Sequence, residues 1–328
     1  MPVQITIIGL GQIGASIGLA LAAHKDKAIT IGHDKDFSIE QRAKKLGAVT
    51  ATNHNLPGAV ENADLVILAI PVHQVRETFN YIAQDLKKDA VVVDMTPVKA
   101  EVAKWAREIL PASAHYVGLI PAIGAGHLDI AGAGLDSAKA DLFSKSVFLL
   151  STPPGAPGAA VKLVSDMVSL LGATTILTDF VESDGLMASA NILPRLVSAA
   201  LLNATVDQPG WQESRKVASL AYYRATSALS ETEDTESLSM LAVQNRENVI
   251  RLLDQMTTAL LELRDELENE NSEALKKRLE SARQGRIHWL AERGKADWTH
   301  IPGERVEKIS IMESLLGSKL GKMGKRGK

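Results

Sequence analysis

Two hydrophobic rhythms divide the chain. Up to about residue 150, short β-rich runs alternate with segments whose apolar residues recur at helical spacing. The runs are VQITIIG (3–9), AITIGHD (28–34), ADLVILAIP (63–71), AVVVDM (90–95), HYVGLI (115–120) and SVFLLST (146–152). Between them lie QIGASIGLALAAHK, SIEQRAKKLG, HQVRETFNYIAQDLKK and KAEVAKWAREIL. This alternation predicts a parallel sheet with helices on both faces, a doubly wound α/β domain of the Rossmann type. The proline- and glycine-rich STPPGAPG (151–158) reads as a domain boundary, and the pattern beyond it is helical. The expected division is an α/β domain over 1–152, an all-α domain over 153–315 and a basic, flexible tail over 316–328.

Within the second part, Val249, Leu253, Met256, Leu260, Leu263 and Leu267 alternate spacings of four and three. Such a seam fits an intramolecular bundle or a homodimer contact equally well. The acidic stretch ETEDTES (231–237) reads first as a solvated loop, with a helix start or a cover over a site as alternatives.

Composition narrows the class. A chain of 328 residues at 45% hydrophobic content can bury two cores. A net charge of −3 gives no field toward nucleic acid or an anionic membrane, so a small molecule is the expected partner. Cysteine is absent, which excludes disulfides, thiolate metal sites and cysteine nucleophiles and suits a reducing, cytoplasmic setting. Val3 to Ala23 carry no charge, yet their four glycines with Gln4, Thr6, Gln12 and Ser16 fit a strand, turn and helix better than an export or membrane segment.

The turn in that segment holds the most informative motif. Gly9, Gly11 and Gly14 form G-x-G-x-x-G directly after a strand and at the start of a helix. The first glycine permits a tight turn, the second lets backbone approach a pyrophosphate, and the third lets helix pack on strand. Gln12 and Ile13 would add free helix amides for the phosphates. Asp34, twenty residues past Gly14, closes the second strand, where a carboxylate binds ribose hydroxyls. A dinucleotide is therefore the expected cofactor. The carboxylate favours NAD, while His33 and Lys35 keep NADP open. Open α/β sheets bind ligands at the carboxyl ends of their strands. Ala69, Ile70 and Pro71, then Thr96 and Pro97, and then VGLIPAIGAG (117–126) each close a strand at that edge.

Together with ADLF (140–143), LLSTP (149–153), ESDGLMASANILPRLVSAAL (182–201) and, more weakly, QNRENVIRLLDQMTTALLEL (244–263), these loops resemble the prephenate and arogenate dehydrogenases of tyrosine biosynthesis. The resemblance covers nearly the whole chain. It implies NAD(P)-dependent oxidative decarboxylation of a small carboxylate-bearing substrate, and a helical domain that closes the cleft and dimerises. Asp94, Val98, Lys99, Pro121, Gly124, Asp184, Leu193, Pro194 and Asn245 match the family pattern. The family's catalytic histidine falls on Ile120 and its loop serine on Pro97; histidines flanking Leu193-Pro194 fall on Ile192 and Arg195, and an arginine falls on Arg224 or Ser227.

Isoleucine has no proton to give or take, so another group must supply the base or the substrate must differ. His127, seven residues past Ile120, and His73, after Pro71, are placed to reach the nicotinamide, though exposed loop histidines are the commoner explanation. Thr96 can position a substrate oxygen. Lys99 can act as a base only if desolvation lowers its pKa, and the resemblance suggests a structural role instead. Ile120 and Pro121 would line the substrate, Asn191 would hydrogen-bond it, and Arg195 and Arg224 are candidate carboxylate clamps. The remaining histidines, His33 and His54 among them, read as surface or packing residues. No metal-ligand spacing and no hydrolase motif occurs along the chain. Three functions stay open: a dehydrogenase of this family with an altered base, an imine or carbonyl reductase on the same scaffold, and a non-catalytic dinucleotide-binding protein.

Overall fold

A computed structural model describes residues 2–129, 133–230 and 234–296. The expected tail, 316–328, and the last part of the expected helical domain lie outside them. Eight strands form one sheet: β1 (Val3–Ile8), β2 (Ala28–His33), β3 (Ala51–Thr52), β4 (Leu65–Leu68), β5 (Val91–Asp94), β6 (His115–Pro121), β7 (Val147–Ser151) and β8 (Thr174–Leu177). Their order is β3-β2-β1-β4-β5-β6-β7-β8. The change of direction beside β1 is the crossover of a doubly wound fold.

The central strands are buried on both faces, as their unbroken apolar runs require. Leu65 and Ile67 of β4 pack with Ile7, Ile17 and Phe148 on one side. Val66 and Leu68 pack with Phe79, Val92 and Trp105 on the other. A period of two thus feeds two cores from one strand.

Two expectations change at the far edge. The sheet is not wholly parallel, because β7 runs antiparallel to β6, with Ile120 opposite Leu149. Nor is STPPGAPG a domain boundary: it is a loop from β7 into the helix Gly158–Leu170, which leads to β8. That helix buries Ala160, Val164, Met167 and Val168 in the first core. The α/β unit therefore runs on to Leu177, since apolar packing and strand pairing, not loop composition, define where it ends.

From Phe180 onward the described chain is helical. Phe180–Met187, a π-turn at Ala188–Ile192 and Leu193–Thr205 make one continuous rod. Pro194 explains the π-turn, because its ring removes a donor and crowds the preceding carbonyls, widening the ladder just before it. The rod is long and apolar enough by composition to cross a membrane. The predicted seam lies on the helix Arg246–Glu268, where Val249 is buried but Leu260 and Leu267 remain 54% and 62% exposed. Among the described residues the seam is covered only in part, with Met256 and Leu263 half-buried. In the acidic stretch, Asp234 caps the helix Thr235–Gln244 by accepting from the Ser237 amide, so this stretch starts a helix.

Candidate dinucleotide site and catalytic loops

The chain leaves β1 through Gly9, whose φ of +90° is left-handed backbone. A side chain there would also lie 2.5 Å from the Ala69 carbonyl oxygen. At Gly14 an added Cβ would sit 2.0 Å from the Gly9 oxygen, whereas at Gly11 it would meet nothing within 4 Å. Two glycines are thus required by packing, and the middle one opens onto space. The helix Gln12–Leu21 begins at this opening with no side-chain cap and no acid in its first turn, leaving its amides for an anion. Gln12 Nε2 reaches the Ser137 carbonyl at 3.4 Å and Lys139 N donates to Ser16 Oγ, so residues 134–139 lie along this helix. Ile13 is half-buried beside them.

Asp34 is anchored by both oxygens: Oδ2 accepts from Leu10 N at 2.8 Å and Oδ1 from Asp36 N at 3.0 Å. Each oxygen retains a lone pair for a hydroxyl. Two, three and four strands along the sheet from β2, the loops after β4, β5 and β6 continue the same edge. Ala69, Ile70 and Pro71 are half-buried there, with Ala69 and Ile70 against Gly9.

The loop after β5 is organised by a buried charge cluster. Lys99 is 0% exposed, and its Nζ donates to Asp94 Oδ1 at 2.7 Å and to the Asp94 carbonyl at 3.0 Å. Tyr116 donates its hydroxyl to Asp94 Oδ2 at 2.6 Å. The lysine stem passes Gly118, where a Cβ would come within 2.7 Å of its Cδ. Burial pushes the Lys99 pKa down, partly offset by Asp94, and burial beside Asp94 pushes the Tyr116 pKa well up. Thr96 is buried, with its hydroxyl between Asp94 Oδ1 and the Val98 carbonyl. Lys99 and Thr96 are therefore committed to the frame, which answers the expectation of a catalytic role with an enclosed ammonium and an occupied hydroxyl. Pro97, half-buried, is the loop's more accessible residue.

Asp184, from the helical part, clamps this frame. Its carboxylate accepts from Lys99 N and Ala100 N at the start of the helix Ala100–Ile109, and its carbonyl accepts from Asn245 Nδ2 at 2.7 Å. A carboxylate at a helix N-terminus is favoured by the dipole, yet burial raises the Asp184 pKa overall.

β6 ends on Ile120, 6% exposed, and Pro121, half-buried, and the loop beyond them runs to His127. It is fixed by Gly124 N donating to the Leu142 carbonyl and by the Arg293 guanidinium on the Ile123 carbonyl. His127 follows in a single 3₁₀ turn, with Nε2 3.2 Å from Asp141 Oδ1 and a side chain 17% exposed. His73 instead places Nδ1 3.5 Å from Asp234 Oδ2 and Nε2 3.1 Å from the Gln74 amide. Asn191 sits in the π-turn with its buried Oδ1 lacking a hydrogen-bond partner among the described residues, while Arg195 is half-buried one turn on. Arg224 is exposed on the helix Leu220–Thr226, which meets the Arg195 helix where Ser198 Oγ donates to the Ala225 carbonyl.

Sequence reasoning missed the roles of Tyr116, Asp141 and Arg293. Asp141 lies within ADLF and Tyr116 within HYVGLI, but neither stretch signals a side-chain role, and Tyr116 and Arg293 act through contacts 22 and 170 residues away along the chain.

Residues 17–177 match the prephenate dehydrogenase nucleotide-binding domain, and residues 181–281 match the prephenate dehydrogenase dimerization domain. The chain belongs to the prephenate dehydrogenase family. The junction between the two matches agrees with the end of β8. The apolar seam, partly exposed among the described residues, lies within the stretch that matches the family's dimerization domain. Cyclohexadienyl dehydrogenase of Zymomonas mobilis is 24% identical over 291 residues, covering 87% of this chain and 95% of that protein. Prephenate dehydrogenase of Bacillus subtilis is 23% identical over 272 residues, covering 83% and 72%. The A. aeolicus prephenate dehydrogenase, solved in complex with hydroxyphenyl propionate and NAD+, superposes with a TM-score of 0.77 at 21% identity, over 88% of this chain and 98% of that one.

Proposed function

We propose that this prephenate dehydrogenase family member is an NAD-dependent oxidoreductase that oxidises a small carboxylate-bearing alcohol of the prephenate or arogenate type, with His127 as the base. The observation that carries the cofactor is the glycine turn, where packing demands Gly9 and Gly14 while Gly11 faces open space. Asp34, anchored by two amides, would accept the ribose hydroxyls and disfavour a ribose phosphate, so NAD is the expected form and NADP the weaker one.

The nicotinamide, when bound, supplies the hydride acceptor. The chain must supply a base for the hydroxyl proton, and Ile120, Thr96 and Lys99 are unsuited by chemistry or enclosure. His127 offers an imidazole whose Nε2 is oriented by Asp141, leaving Nδ1 to take the proton. Asn191 Oδ1, buried and without a partner among the described residues, would accept a hydrogen bond from substrate or nicotinamide amide. Arg195, within the matched segment, is the residue to pair with a substrate carboxylate. Oxidation of a prephenate-like ring alcohol then releases carbon dioxide, because loss of the carboxylate makes the ring aromatic.

The burial of Ile120 favours one second reading. An apolar wall where the family keeps a proton carrier would suit reduction of an imine or carbonyl. Absorbance of reduced nicotinamide separates the two. Purified protein with prephenate or arogenate and NAD should generate it; no turnover with the cofactor bound would sink the dehydrogenase reading and direct the search to consumption of reduced cofactor.

A further inference from the structure

Three side chains from three elements meet behind the Asp34 turn. β2 ends at His33, the helix Phe37–Leu46 carries Glu40, and the loop after β3 carries His54. One ligand atom from each lies within 4.8 Å of the others. His33 Nδ1 is 3.5 Å and His54 Nδ1 3.1 Å from Glu40 Oε1. Glu40 is 0% exposed, and its second oxygen, Oε2, is buried with no hydrogen-bond partner among the described residues. A buried carboxylate with an unused oxygen is costly and calls for a further partner.

We propose that His33, Glu40 and His54 hold a divalent transition-metal ion of the zinc class. Zinc bound tetrahedrally at about 2.0–2.1 Å from nitrogen and oxygen donors separates its ligands by roughly 3.3 Å. The two measured separations bracket that value. Two imidazoles and one carboxylate are a donor set for zinc, cobalt or nickel rather than for calcium or magnesium. His54 is half-exposed and gives the ion a way in, with water completing the shell. Binding requires His33 Nδ1 to give up its 3.2 Å contact with the Asn53 carbonyl and carry its proton on Nε2 instead. Imidazole protons compete with the ion, so affinity should fall on acidification.

The site also touches the cofactor end of the fold. Asp34 N donates to Glu40 Oε1, the same oxygen the ion would engage. Metal occupancy should therefore alter the setting of the Asp34 carboxylate. That consequence rests on the dinucleotide reading above and is measured separately from the metal site itself.

Calorimetric titration of zinc chloride into tag-free, chelator-stripped full-length protein tests the site without NAD. One equivalent should bind at micromolar affinity or tighter. His54→Ala, on an exposed loop, should weaken it by at least about tenfold, as should Glu40→Gln. His288→Ala removes a surface histidine 3.2 Å from Glu292 and should leave this binding in place. Cobalt should give tetrahedral ligand-field bands in the unaltered protein and not in His54→Ala. No zinc binding by folded protein, or binding that His54→Ala leaves unchanged, would overturn the proposal. NAD affinity should then shift by about fivefold between zinc-loaded and chelated protein, and not in His54→Ala. Zinc bound with no such shift would overturn the linkage to the cofactor, and NAD failing to bind at all would overturn the dinucleotide reading alone.

Discussion

Replacing Lys99 by methionine should unfold the protein more readily rather than merely slow it. The methionine keeps most of the volume of a side chain that is fully buried beneath Gly118. It removes the cation that faces Asp94 Oδ1 at 2.7 Å and the donor on the Asp94 carbonyl at 3.0 Å. Asp94 then keeps Tyr116 and Thr96 as donors but becomes a buried charge with no counter-ion. Breaking one side of such a pair costs about 3–5 kcal/mol. For a chain of this size roughly 2–4 °C of Tm accompanies each kcal/mol, so Tm should fall by about 6–20 °C. Thermal melts of the single variants Lys99→Met and Asp94→Asn and of the double variant would measure it. The double variant should recover part of the loss, because it removes both charges together. A Lys99→Met protein that melts with the unaltered one yet loses turnover would refute this account and return Lys99 to the role of base.

Three further outcomes follow from the same structure. Gly11→Ala should leave Tm nearly unchanged while weakening NAD binding by about tenfold or more, whereas Gly14→Ala should lose stability first, because its Cβ would lie 2.0 Å from the Gly9 oxygen; melts and equilibrium binding together check the contrast. The folded-state pKa of Asp184 is raised above 3.8, so the folded protein binds more protons than the unfolded chain just above that value, and this contribution is full below 3.8 and is lost as pH rises through the folded pKa. Urea melts should therefore show the stability of the unaltered protein falling relative to Asp184→Asn as pH is raised across that window. Leu260→Glu and Leu267→Glu, at exposed seam positions within the family's dimerization domain, should shift the protein to monomer in sedimentation while leaving the α/β melt in place.

The fold was largely legible because its signals are local. A glycine motif and short apolar runs such as LVIL and VVVD each act within a few residues. The misjudged boundary at STPPGAPG shows the limit: a loop's composition is the same whether the chain leaves the sheet or returns to it, and only the pairing of β8 with β7 decides. The site was half legible for the same reason. Ile120 in place of a histidine can be seen in the sequence, but the enclosure of Lys99, the commitment of the Thr96 hydroxyl and the Asp141 partner of His127 are products of packing. The meeting of His33, Glu40 and His54 has no fixed spacing to announce it, since three elements deliver them.

The most direct test of the central claim is the rate of nicotinamide reduction by prephenate or arogenate in the unaltered protein and in His127→Ala, each with NAD binding measured alongside. The account predicts turnover in the unaltered protein and a loss of about 10²-fold or more in His127→Ala with NAD affinity retained. Equal turnover in the two proteins would contradict it.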